Sequence, residues 1–102
     1  MIIVEGWVRL APGVAEPFMP AAEAMIRASR QEAGCLAYSY ARDVLEPDTL
    51  RIAERWADDA ALAAHFQTAH MAAFNAVLAS LGIVAASVHV YAGEHQRALI
   101  ER

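Results

Sequence analysis

The pattern that most restricts this chain is a change of hydrophobic period, from two to about 3.6 and back, in a fixed order along its length. Ile2 to Leu10 alternate, with Ile2, Val4, Gly6, Val8 and Leu10 on one face and Ile3, Glu5, Trp7 and Arg9 on the other, as a half-buried strand requires. Pro12-Gly13 ends it. From about Val14 to Ala33, Phe18, Ala22, Met25, Ile26 and Ser29 recur at helical spacing opposite Glu23, Arg27, Arg30 and Gln31, with Gly34 as the stop. Pro17 and Pro20 fall near the start of that helix, where a missing amide hydrogen costs least. Cys35 to Val44 and Thr49 to Trp56 then read as two strands joined across Glu46-Pro47-Asp48. Asp58 is placed to cap a short helix running through Gln67, and Thr68 to cap another with a buried stripe of Met71, Phe74, Leu78 and Leu81. Gly82 closes that helix, and Ile83 to Tyr91 alternate again as a last strand.

Strand, helix, strand, strand, helix pair, strand is the split βαβ order, so the expected fold is α+β and ferredoxin-like, βαββααβ, with one antiparallel sheet. Right-handed crossovers order the strands 4-1-3-2 and put the helices on one face. The other face is then uncovered, and packing two such sheets together into a dimeric α+β barrel would cover it. At 102 residues there is room for one domain, expected over residues 1–93 with a charged tail at 94–102. Hydrophobic residues make up 58%, much of it alanine, an excess that also points to a homodimer.

Composition removes several classes of function. The eight basic residues are all arginine and scattered, and net charge is −4, so no basic stripe is available for nucleic acid. Apolar runs are interrupted well short of the roughly 20 residues that span a bilayer, so no membrane partner is expected. The first residues lack the basic region of a signal peptide, and Cys35 is the only cysteine, which together give a cytoplasmic expectation. With no CxxC partner and no neighbouring histidine in sequence, Cys35 is not expected to be a catalytic thiolate.

Candidate chemistry concentrates in the second half. Ile52, Glu54 and Trp56 share a strand face, so Glu54 is flanked by apolar neighbours that would raise its pKa and fit it for acid or base work. An ion pair with a nearby arginine is the alternative. Trp56 is either a wall for an aromatic ligand or core packing. His65 and His70 flank a helix junction, and either could be a general base near neutral pH or a structural hydrogen-bonding group. Five residues apart across a break, they lack the spacing of a metal-binding helix, and no metal is expected. Tyr38 and Tyr40 share one face of the second strand, His89 and Tyr91 one face of the last, and either pair could look toward the helices or away from them. Asn75 could orient a polar group of a substrate or lie in solvent.

Four segments in order carry a family resemblance: Glu32-Ala33-Gly34-Cys35-Leu36-Ala37-Tyr38, Glu54-Arg55-Trp56-Ala57-Asp58, Ala61-Leu62-Ala63-Ala64-His65 and Thr68-Ala69-His70-Met71. In order and spacing the chain resembles the antibiotic biosynthesis monooxygenase (ABM) family over roughly residues 2–92. The resemblance implies a dimeric α+β barrel with a pocket between helices and sheet, and a monooxygenase that uses O2 and no cofactor on a small phenolic or quinol-type aromatic. His65, His70 and Glu54 are the catalytic candidates on that reading, and Trp56, Tyr38, Tyr40 and Asn75 would bind substrate. Two schemes known in such folds do not carry over. The haem-binding relatives' histidine and first-strand asparagine correspond here to Asn75 and Gly6, and the actinorhodin-type asparagine four residues before the tryptophan corresponds to Ile52. The alternatives are a non-catalytic dimeric small-molecule-binding or stress-response module, since fold does not dictate function, and a cofactor-free isomerase or cyclase.

Overall fold

The alternating stretch at the N-terminus forms β1 (Ile2–Leu10), the strand on which the sheet is built. In the computed structural model, which describes Met1 to Arg102, it is followed by α1 (Ala15–Ser29), β2 (Cys35–Arg42), β3 (Thr49–Trp56), α2 (Asp59–Phe66), α3 (Ala69–Leu81) and β4 (Ile83–Ala92). Every strand pairing is antiparallel and the sheet order is β2-β3-β1-β4, the order that the element sequence predicts. This is the ferredoxin-like α+β fold. No helix is long and apolar enough to cross a membrane.

Register decides which side chains meet. Val4 lies between Glu54 of β3 and Val90 of β4, and Gly6 between Ile52 and Val88. A Cβ at position 6 would stand 2.0 Å from the Ser87 carbonyl oxygen, so the close approach of β4 requires glycine there. Even-numbered residues of β1 and β3, and Tyr38 and Tyr40 of β2, face the helices, where Ile2, Val4, Leu10, Tyr38, Leu50 and Trp56 join Phe18, Ala22 and Met25 of α1, Leu62 of α2 and Phe74 of α3 in one core. His89 and Tyr91, opposite Glu5 and Ile3, are on the other face.

Caps behave as the sequence indicates. The Asp58 carboxylate accepts the Ala61 amide hydrogen at 2.8 Å to start α2. Thr68 accepts from the Met71 amide at 3.2 Å to start α3 and donates its hydroxyl to the His65 carbonyl at 2.8 Å, tying the two helices at their junction. Gly82 ends α3 with φ +81°.

Two boundaries differ from the sequence reading. Helix α1 stops at Ser29 rather than Ala33, because the Arg30 to Glu32 amides turn back on Ile26, Ala28 and Ser29 and the chain reverses at Gly34, φ +82°. Strand β2 stops at Arg42 rather than Val44, because the Asp43 carboxylate accepts from the amides of Leu45 and Glu46 and closes a loop in which Val44 and Leu45 are exposed.

The uncovered surface also differs. The helix-free face is mixed rather than apolar, with exposed Glu5, Arg51 and Arg55 among its residues. The apolar liability lies instead on β4, whose helix-side Val88 and Val90 are 42% and 56% exposed.

Candidate functional site

The turn that ends α1 early carries Glu32 to the α2–α3 junction. Gly34 makes this possible twice over: its positive φ reverses the chain, and a Cβ there would stand 2.6 Å from that of Ala61 on α2. One oxygen of Glu32, Oε2, accepts from Nδ1 of His65 at 2.6 Å and from Nε2 of His70 at 2.8 Å. A carboxylate only accepts, so the network assigns the proton of His65 to Nδ1 and that of His70 to Nε2. His65 then keeps Nε2 as its basic nitrogen, held in orientation by a carboxylate in the manner of a catalytic histidine. His65 is buried at 1% exposure, whereas the His70 side chain is 26% exposed.

Glu32, His65 and His70 are donors of metal-binding type, and their ligating atoms all lie within 4.8 Å of one another. An ion with bonds of about 2.0–2.1 Å would set neighbouring tetrahedral donors about 3.3 Å apart, and the 2.6 and 2.8 Å separations are hydrogen-bond lengths. As placed, the three form a hydrogen-bonded assembly, and the same donors are of a type that could converge on an ion, a grouping that the sequence spacing did not lead one to expect.

His65 is wedged into an aromatic cluster. Its ring centroid is 4.7 Å from that of Trp56 and 5.5 Å from that of Tyr38. Trp56 is completely buried, and its indole Nε1–H donates to Glu54 Oε1 at 2.9 Å. That indole stands where the sequence reading offered an arginine, since Glu54 makes no ion pair. Burial pushes the Glu54 carboxyl above its usual value, with the Trp56 hydrogen bond and the charge of His65 acting in the opposite direction. The Tyr38 and Tyr40 hydroxyls are 2.5 Å apart, and burial drives both phenols well above the usual tyrosine value, so both stay protonated at any ordinary pH. Burial raises the Cys35 thiol too, which removes the thiolate a nucleophile would need.

Beyond the tyrosines lies empty space. A cavity of about 40 Å³ between sheet and helices is walled by Val8, Phe18, Tyr40, Ile52 and Phe74, with Leu50 and Leu78 completing an entirely apolar lining. Back to back with it, an open groove of about 340 Å³ runs between α1 and the edge strand β2, and Tyr40 and Leu50 are walls of both.

The structure thus gathers Tyr38, Tyr40, Glu54, Trp56, His65 and His70 into one contiguous cluster. Among them only Tyr40 borders the cavity, and Trp56 is core with a polar handle rather than a ligand wall. Asn75 does not belong: it is exposed on α3, one residue past the buried Phe74. Glu32 is the residue that sequence reasoning missed. It lies in the first of the four motif segments, but its partners are 33 and 38 residues away.

Comparison with known proteins agrees with the fold. A family model described as antibiotic biosynthesis monooxygenase matches residues 1–77. The Bacillus subtilis (strain 168) protein named "Putative monooxygenase YcnE" is 33% identical over 74 residues, 72% of this chain and 78% of that protein. An uncharacterized Synechocystis protein, sll1783, is 36% identical over 73 residues, 72% of this chain but only half of its own length. A Deinococcus radiodurans crystal structure described as a "putative antibiotic biosynthesis monooxygenase" superposes with a TM-score of 0.89 over 99% of this chain and 100% of that one; at 22% identity it shows the shared fold alone.

Proposed function

Because the chain belongs to the antibiotic biosynthesis monooxygenase family, we propose that it is a cofactor-independent monooxygenase of a small phenol or quinol, with His65 as the base. The observation that carries this reading is the pair of tyrosine hydroxyls, 2.5 Å apart, that links the apolar cavity to the aromatic cluster around the carboxylate-held histidine. Once the cavity opens to admit a ring, a substrate hydroxyl is placed to reach Tyr40, whose ring lines the void while its own hydroxyl bonds Tyr38. His65, packed against the Tyr38 ring, is the base for the substrate's proton, while Glu32 stabilises the imidazolium that forms and Glu54 adds negative charge nearby.

The electron balance needs only O2. The phenolate gives one electron to O2, the resulting radical and superoxide combine with uptake of a proton to a hydroperoxide, and loss of water leaves the quinone. An apolar cavity suits this step, since no water competes for the reactive intermediates. Uncovered valines on β4 support a homodimer, and the low cysteine count supports a reducing, cytoplasmic setting.

Oxygen uptake with a naphthohydroquinone tests the assignment. His65→Ala is expected to lower the enzyme-dependent rate by about 10²–10⁴-fold. An unchanged rate would remove His65 from the mechanism. A second reading, a non-catalytic small-molecule-binding module, is favoured by the wholly apolar cavity lining, which neither His65 nor Glu54 reaches. Aromatic ligands that bind, followed by tryptophan fluorescence, without any oxygen uptake would select it.

A further inference from the structure

The groove between α1 and β2 has a charge pattern that the cavity behind it lacks. On a chain of net charge −4, three of the eight arginines, Arg27, Arg30 and Arg42, line this one groove, against the single lining carboxylate of Glu23. Two of the three are already neutralised. Arg27 donates to Glu23 through Nε at 3.1 Å and Nη2 at 2.8 Å, and Arg42 pairs with Glu16 at 2.5 Å. Arg30 has no carboxylate partner. Its Nε donates to the Tyr38 carbonyl oxygen at 2.9 Å, which anchors the guanidinium to β2 and leaves its two terminal nitrogens without a hydrogen bond. An anchored guanidinium with free terminal N–H groups is pre-organised to take a planar anion in a two-point contact.

The groove and the apolar cavity share Tyr40 and Leu50, and neither space is sufficient alone. A void of about 40 Å³ cannot hold an aromatic ring, since a dry cavity that accepts benzene measures about 150 Å³. Displacing the Leu50 side chain would merge the two into one elongated site, apolar at its inner end and cationic at its mouth, and leave the Tyr38–Tyr40 hydroxyl pair in place. We propose that this combined site binds an aromatic carboxylate, with the ring behind Tyr40 and the carboxylate on Arg30. The inference deepens the reading of the cavity as the substrate site, and rests on it.

Calorimetric titration of the intact chain with two probes tests the proposal without any need for turnover: naphthol, and the hydroxynaphthoic acid that differs from it by one carboxyl group. The acid is expected to bind about tenfold tighter at low salt, an advantage that shrinks as salt screens the contact. Arg30→Gln should remove most of that advantage and leave naphthol binding unchanged, while Arg27→Gln, whose guanidinium is already paired, should preserve it. Equal affinity for the two probes, or the same loss in both variants, overturns the anion site while the cavity reading stands. If neither probe binds, the cavity reading falls and this inference falls with it. Thermal unfolding of each variant confirms that a lost preference does not come from a lost fold.

Discussion

β3 and β4 flank the same strand, run antiparallel to it and are both rich in apolar side chains, yet they live in different environments. Thr49, Leu50, Glu54 and Trp56 of β3 are buried, whereas β4 has no buried residue at all. The difference comes from above the sheet. Helices α1 and α2 pack over the β2–β3 side, so a carboxylate there is stripped of water and a tryptophan is sealed, while equally apolar valines on the same face, one strand beyond β1, are left without cover. Apolarity marks which side chains want cover. Only the placement of the helices decides which ones get it within a single chain.

Substitutions on the two strands test this contrast. Trp56→Ala on β3 should cost about 3–5 kcal/mol in urea unfolding, because it opens a large void and also removes the indole donor from Glu54. Val88→Ala on β4 should stay within about 0.5 kcal/mol in dilute protein, as for any exposed site. A loss at Val88 that matches the one at Trp56 would mean that β4 is covered in solution. If the cover is a second copy of the chain, as we propose, Val88→Asp should shift the sedimentation mass at high concentration from dimer to monomer, and an unshifted mass would rule β4 out of the interface.

The smallest effect concerns charge. The folded-state pKa of Glu54 lies above its unfolded value, so the stability it contributes is full below the ordinary glutamate range near 4.3 and is lost as pH rises through the folded value. Glu54→Gln keeps an oxygen that can accept the Trp56 hydrogen bond and removes the titration. Unfolding curves at acid and neutral pH should therefore show the variant gaining on the wild type as pH rises. Parallel profiles would mean that Glu54 titrates as an ordinary surface carboxylate.

Local chemistry in the sequence made much of the fold legible. β1 and β3 end where alternation ends, and the caps at Asp58, Thr68 and Gly82 stand where a side-chain acceptor or a positive φ is needed. The end of α1 was hidden because its polar and apolar spacing continues past Ser29, while the hydrogen bonds that stop it depend on the turn at Gly34. The choice between faces was closed to a periodicity argument. Alternation separates Tyr38 from Ser39 but does not say which side holds the helices.

The site was legible only in part, for the same reason. His65, His70, Glu54 and Trp56 stand out by residue type, whereas Glu32 looks like one more surface acid on a helical repeat until the turn swings it across to α2 and α3. Asn75 stood out by type as well and proved irrelevant by one helical step, since residue 74 faces in and residue 75 faces out.

The Glu32 triad joins three stretches of chain, and two of them belong to the thinly anchored α2–α3 pair, where α2 buries Leu62 and His65 and α3 only Phe74. Segments with so little buried surface open more often than a sheet core does. Amide hydrogen exchange should accordingly be fastest among the helices at Ala69 to Leu81, and an opening that extends through α2 unhooks both imidazoles from their shared oxygen while the sheet stays intact. If His65 is the base, as we propose, a molecule in that state would have near-native secondary structure and no oriented base, so the active fraction of a sample would be set by a local equilibrium rather than by the global one.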